Sequence, residues 1–183
     1  MPADAYDAFM LDHAAGNLPA GLDLAAGLHA ALSAQGAGHA AAWDAVGGAL
    51  LERDEVMASP RNGQKRTRKP ASAPAMSVRD LLATDLDSLK WRRTITQARY
   101  AATGVPGARL MRLQPGQAIP RHGHSALEAT VVMQGSLSVD SEVFRFGDLL
   151  LGVPGKPHKP VAGEDEPCIC LVARAERPFW RLT

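Results

Sequence analysis

Between Gly116 and Gly135 the chain reads GQAIPRHGHSALEATVVMQG, and this stretch limits the fold more than any other. His122 and His124 are two residues apart, so on an extended strand both imidazoles leave the same face of a sheet. Glu128 follows four residues after His124, across a short turn at Ser125-Ala126, and can return to that face on the next strand. His158 comes after GDLLLGVPGKPH, whose glycines and prolines turn one strand into another. Three imidazoles and one carboxylate converging inside a β-barrel suit a first-row divalent metal, with a position left for water or another ligand. Any one of these residues alone would be an ordinary core or surface side chain; the joint spacing is what points to a metal.

The surroundings agree with a barrel. ARLMRL, ATVVM, SLSVD, EVFRF, DLLLGV and CICLVARA are brief apolar or alternating runs separated by Gly, Pro and Asp turns. That rhythm predicts an antiparallel sandwich or barrel, not alternating strands and helices. The first 55 residues differ: they are rich in alanine and leucine and follow a helical period. A helix from Ala5 to Ala15 should stop at Gly16-Asn17, and Pro19 opens a second that places Leu22, Ala25, Ala26, His29 and Leu32 on one side. A third aligns Trp43, Val46, Gly47 and Leu50. Three such helices make a thin core, so they should draw stability from a partner or from the barrel.

Charge divides the chain in the same way. Residues 1–55 carry eight carboxylates against Arg53 alone, whereas residues 59–76 hold five cations, three prolines and no acid. The organisation expected is therefore a small all-α helical module over residues 1–58, a basic Pro-rich linker over 59–76, and an all-β jelly-roll-like barrel over 77–183. The basic segment has no interleaved aromatic residue to stack on bases, so direct nucleic-acid binding is not expected. No apolar run is long enough to span a membrane, the first residues lack the features of a signal peptide, and there is no glycine-rich phosphate loop. With Cys168 and Cys170 too close in sequence to form a structural disulfide, a cytoplasmic protein is expected.

The region resembles the cupin family, whose first motif is G-x5-H-x-H-x3or4-E-x6-G; Gly116, His122, His124, Glu128 and Gly135 fill every fixed position. Its second motif, G-x5-P-x-G-x2-H-x3-N, is matched by Gly147, Gly155 and His158, while Val153 and Ala162 replace the usual Pro and Asn. Those departures affect turn shape and leave the ligands in place. A second resemblance spans nearly the whole chain: AAGNLP, AWDAVGGALLE, DLDSLKWRR and a cupin ending in H-x9-C-x-C are similar to the ChrR family of zinc-dependent anti-sigma factors. That resemblance implies N-terminal helices that bind an extracytoplasmic-function sigma factor, and a helical zinc site held by an upstream His and H-x3-C-x2-C. Here His29 remains, but Ser33 and Gly36 stand at the two cysteine positions and the segment before the first helix offers only Asp4. One nitrogen cannot make a structural zinc site, so the helical module is expected to be metal-free, with His29 a partly buried helix residue and His13 and His39 no ligands.

Two functions follow. One is a regulator, without enzymatic activity, whose acidic helices occlude a basic sigma factor and whose cupin holds a divalent ion, zinc first and Mn, Fe or Ni as alternatives, while sensing an oxidant or small molecule. The other is a metal-dependent cupin enzyme, a dioxygenase or isomerase; an inert sugar- or ligand-binding cupin is a third. For Cys168 and Cys170, on one face of the last strand, two roles stand open: small core residues, or redox-sensing thiols beside the metal whose pKa the cation lowers.

Overall fold

The computed structural model describes residues 3–53 and 75–175. Of the expected linker only Ala75 and Met76 are among them, and the expected boundary at residue 58 lies outside them. Three helices come first, α1 (Ala3–Ala14), α2 (Ala20–Leu32) and α3 (Ala34–Arg53), then a short α4 (Val78–Ala83). Gly16 ends α1 with φ +69°, and α4 starts in a capping box between Ser77 and Asp80.

Nine strands follow among the described residues: β1 (Arg92–Arg93), β2 (Arg99–Ala102), β3 (Ala108–Leu113), β4 (Glu128–Gln134), β5 (Ser136–Val139), β6 (Glu142–Arg145), β7 (Leu149–Gly152), β8 (Pro160–Ala162) and β9 (Cys168–Arg174). They form a six-stranded antiparallel sheet, β1-β2-β3-β9-β4-β7, and a three-stranded one, β6-β5-β8. This is the all-β architecture expected of the cupin motifs, as two sheets that face each other.

Strand periodicity explains the layering. Along β9, Cys168, Cys170 and Val172 join Met111, Leu113, Leu137 and Phe144 in a core between the sheets. Leu171 and Ala173 point the other way, into a second core with Val131, Leu110 and the helices. Both faces of β4 and β9 are thus covered, which is why they read as continuous apolar runs.

Helix α2 is the keystone of the helical layer. Leu22, Leu24, Ala25, Ala26, Leu28 and His29 are all buried on it, because it lies between the sheet and the other helices, with Tyr6, Phe9 and Met10 of α1 closing over it. The expected dependence of the helices on the barrel is therefore met by one shared core. The third helix differs from its expected role. Trp43 is only partly buried against the core and Val46 is 46 % exposed, since α2 already occupies the sheet and leaves α3 an outer position.

The join between layers is tightest at Gly147, in the turn before β7. Its φ is +83°, and a Cβ there would stand 2.7 Å from the Leu32 carbonyl oxygen. Gly147→Ala is therefore expected to lower unfolding stability by about 2 kcal/mol or more, as a left-handed backbone strain plus a clash with main chain that cannot swing away. Urea unfolding of the full chain checks this; an unchanged midpoint would show that α2 does not sit on the turn as described.

Candidate metal centre

The four residues singled out by spacing come together. One ligand atom each from His122, His124, Glu128 and His158 all lie within 4.8 Å of one another. Glu128 opens β4 and is 5 % exposed; His158 is 7 % exposed. His122 and His124 lie in extended chain outside the named strands. There His122 exchanges both backbone hydrogen bonds with His158, His122 N–H to His158 O at 3.0 Å and the reverse at 2.8 Å. That bridge fixes the two loops against each other.

Donor spacing fits a small cation. His124 Nε2 lies 2.9 Å from His158 Nε2, which lies 3.3 Å from His122 Nε2. A tetrahedral ion with bonds of about 2.1 Å would hold its nitrogens roughly 3.4 Å apart. Tautomers favour the same arrangement: His122 Nδ1–H donates to the Pro120 carbonyl at 2.9 Å, leaving Nε2 as a lone pair aimed into the cluster. Burial, first among several causes, holds His124 and His158 below the ordinary histidine pKa, so both offer neutral nitrogens near pH 7. A cation held at the centre would let all three Nε2 atoms act as acceptors at once. Gly152 makes room for the group, since a Cβ there would lie 2.9 Å from the His124 ring.

Spacing does not single out Arg174, yet its Nε–H donates to Glu128 Oε2. The other carboxylate oxygen, Oε1, faces His124 Nε2 at 3.5 Å. Arg174 thus steadies the carboxylate from behind while its inner oxygen stays directed at the imidazoles. A signal for it exists in CICLVARA, because Cys168, Cys170, Val172 and Arg174 share one face of a strand.

The same register places the cysteines deeper in the barrel than the ligand cluster. Glu128 pairs with Arg174 but Val132 pairs with Cys170, four residues down the strand, roughly 13 Å at strand rise. Both thiols are free and wholly buried in the core between the sheets. Their sulfurs are 3.5 Å apart, and the hydrogen bond from Cys168, with burial, pushes the Cys170 thiol well up. Both side chains pack in the core between the sheets, and the raised pKa of Cys170 is the opposite of what a sensing thiolate needs.

His29 also differs from expectation: it is fully buried, at 1 % exposure. Its Nδ1–H donates to the Gly147 carbonyl at 2.7 Å and its Nε2 accepts from the Tyr6 hydroxyl at 2.9 Å. Ser33 Oγ accepts from Gly36 N–H at 2.9 Å, and a Cβ on Gly36 would lie 2.7 Å from the His29 carbonyl oxygen. At the positions where the resemblance implies a zinc site, this chain ties helix to helix and helix to barrel by hydrogen bonds. Of the other two histidines, His13 pairs with Asp23 at 2.7 Å and His39 stands 3.6 Å from Asp7.

Comparison with known proteins extends the likeness over about nine-tenths of the chain. Residues 85–177 match the model of the ChrR cupin-like domain. The anti-sigma-E factor ChrR of Cereibacter sphaeroides is 32 % identical over 184 aligned positions, covering 91 % of this chain and 86 % of that protein. The crystal structure of Rhodobacter sphaeroides SigE in complex with the anti-sigma ChrR superposes with a TM-score of 0.75 at 32 % identity, covering 92 % of this chain and 96 % of that one. From helical layer to imidazole cluster, the chain belongs to the ChrR family, with a ChrR cupin-like domain.

Proposed function

We propose that this protein is an anti-sigma factor of the cytoplasm, binding an extracytoplasmic-function sigma factor through its helices and carrying in its cupin a zinc ion held by His122, His124, Glu128 and His158. The observation that carries the partner is the likeness, over helices and barrel together, to ChrR in complex with SigE. A likeness confined to the barrel would leave the enzyme reading level with it. The helices offer exposed residues of suitable chemistry: Leu11 on α1 and Val46 on α3 are 42 % and 46 % exposed, with Asp7, Asp12 and Asp44 near them in sequence. Apolar anchors within a charged rim suit a basic, helical partner.

Zinc is favoured over Mn, Fe and Ni by a donor set of three imidazoles and one carboxylate. The sensing role, for an oxidant or a small molecule, falls to this barrel centre and not to the thiols. No helix among the described residues is long and apolar enough to cross a membrane.

The test uses the full chain, because the helices share their core with the barrel. It should retain a sigma factor encoded beside it and repress a promoter dependent on that factor. The double variant Leu11→Asp/Val46→Asp should weaken capture at least ~10-fold with metal content unchanged. Raising NaCl from 50 to 500 mM should slow association, again by about tenfold. Failure to retain or repress any such sigma factor sinks the proposal; capture untouched by the double variant moves the interface off these helices.

A further inference from the structure

We propose that the barrel cavity takes a small monocarboxylate with an apolar body, its carboxylate gripped by Arg109 and Arg174. This deepens the sensing half of the function proposed above, on which it rests, by naming the ligand class. The cavity encloses about 140 Å³ beside the imidazole cluster and has two unlike ends. His122, His158 and Glu128 stand at one end with the two arginines, while Met111, Leu137, Leu150 and Val172 form an apolar floor.

Charge selects the ligand's head. Among the described residues lining the cavity, two guanidiniums face a single carboxylate, Glu128. Glu128 already has one oxygen on Arg174 and the other turned to His124. Arg109 has no carboxylate partner among the described residues; its guanidinium lies on the Tyr100 ring, 4.0 Å from the centroid. Stacking of this kind holds the planar fork in one orientation at little entropic cost.

Strand register then sets the pair. Arg109 on β3 is opposite Val172 on β9, two residues from Arg174, so both arginines lie on the cavity side of adjacent strands, exposed at its mouth. Such diagonal positions are about 7–8 Å apart at the strand backbones, and both side chains line the same cavity, within reach of one anion. A planar carboxylate accepts from two guanidinium forks at once. A cation or a neutral polar compound gains nothing from this pair.

Size and lining select the body. A cavity of about 150 Å³ admits a guest the size of benzene, so the carboxylate carries a tail of roughly five or six carbons. The apolar floor recovers that tail from water, which separates the proposed ligand from acetate or inorganic phosphate.

Calorimetric titration of the zinc-loaded full chain with hexanoate, hexanamide and acetate tests this. Hexanoate should bind at least tenfold tighter than either of the others. Arg109→Gln should weaken hexanoate at least tenfold with metal stoichiometry unchanged, and Arg109→Lys, which keeps the charge but not the fork, should lie between. Equal binding of hexanoate and hexanamide, or no binding of hexanoate, overturns the inference. So does full hexanoate affinity in both Arg109 variants, which would place the carboxylate elsewhere, on the metal for instance. Sigma capture measured on the same preparations separates the two claims. Capture without hexanoate binding overturns the carboxylate site alone, whereas hexanoate binding without capture supports the site and overturns the anti-sigma role.

Discussion

His124→Ala is expected to take bound metal from about one divalent ion per chain to under a tenth of that after dialysis against dilute chelator, since removing one donor of four weakens such sites by orders of magnitude. His124 is central to the cluster: its Nε2 lies 2.9 Å from His158 Nε2 and 3.5 Å from Glu128 Oε1. Its loss opens the cluster on two sides at once. The fold should survive, because the apolar cores lie on the sheets and not at this mouth. Elemental analysis beside a circular dichroism spectrum reads both quantities. Full metal content in a folded variant would remove His124 from the ligand set.

The second large effect is at His29. His29→Ala strips a buried imidazole from between the Gly147 carbonyl and the Tyr6 hydroxyl. It leaves both groups without that partner around a cavity, and a loss of about 3–4 kcal/mol is expected. For a protein of this size each kcal/mol moves Tm by roughly 2–4 °C, so a fall of about 10 °C is the expected reading.

The pH dependence has a definite sign. Burial, the largest cause, holds His29 below the ordinary histidine pKa; the Gly147 hydrogen bond and Asp148 oppose it, and His39 adds to it. The folded chain therefore refuses a proton that the unfolded chain accepts near pH 6.5. Stability from this residue is complete above that pH and is lost as pH falls below it. Compared with His29→Gln, which has no proton to gain, the wild-type advantage should shrink between pH 7.5 and 5. A constant advantage would mean that folding does not shift the His29 pKa, and one that grows toward acid that folding raises it.

Much of this architecture is legible in the order of the residues alone. His122, His124, Glu128 and His158 announce themselves because metal ligands demand fixed residue types at fixed intervals. Gly16 and Pro19 mark helix ends because few residues tolerate those backbone positions. The elements without a signature are β1, β2 and β8, two to four residues long, too short for any period to show. For Arg174 the alternation in CICLVARA marks the face it shares but not its role, which depends on Glu128 across the sheet. His29 is visible as a residue and not as a bridge, since its partner lies 118 positions away and is a carbonyl that no letter of the sequence encodes. Alternation puts the cysteines on the correct face, yet depth within the barrel depends on register, and only the pairing of Val132 with Cys170 supplies that.

Closing the helical layer onto a carbonyl shapes how this protein can drift during evolution. A zinc clasp ties four side chains together, so their replacements must occur in concert and leave correlated changes among related sequences. A clasp closed on main chain leaves no such trace: every residue type carries the carbonyl that His29 needs, and residue 147 responds only to the shape of its turn. That turn already requires glycine at φ +83°, in the position where the second cupin motif begins. One small residue therefore answers to two selective demands, and a search for co-varying pairs between the helical layer and the barrel should pass over the contact that joins them.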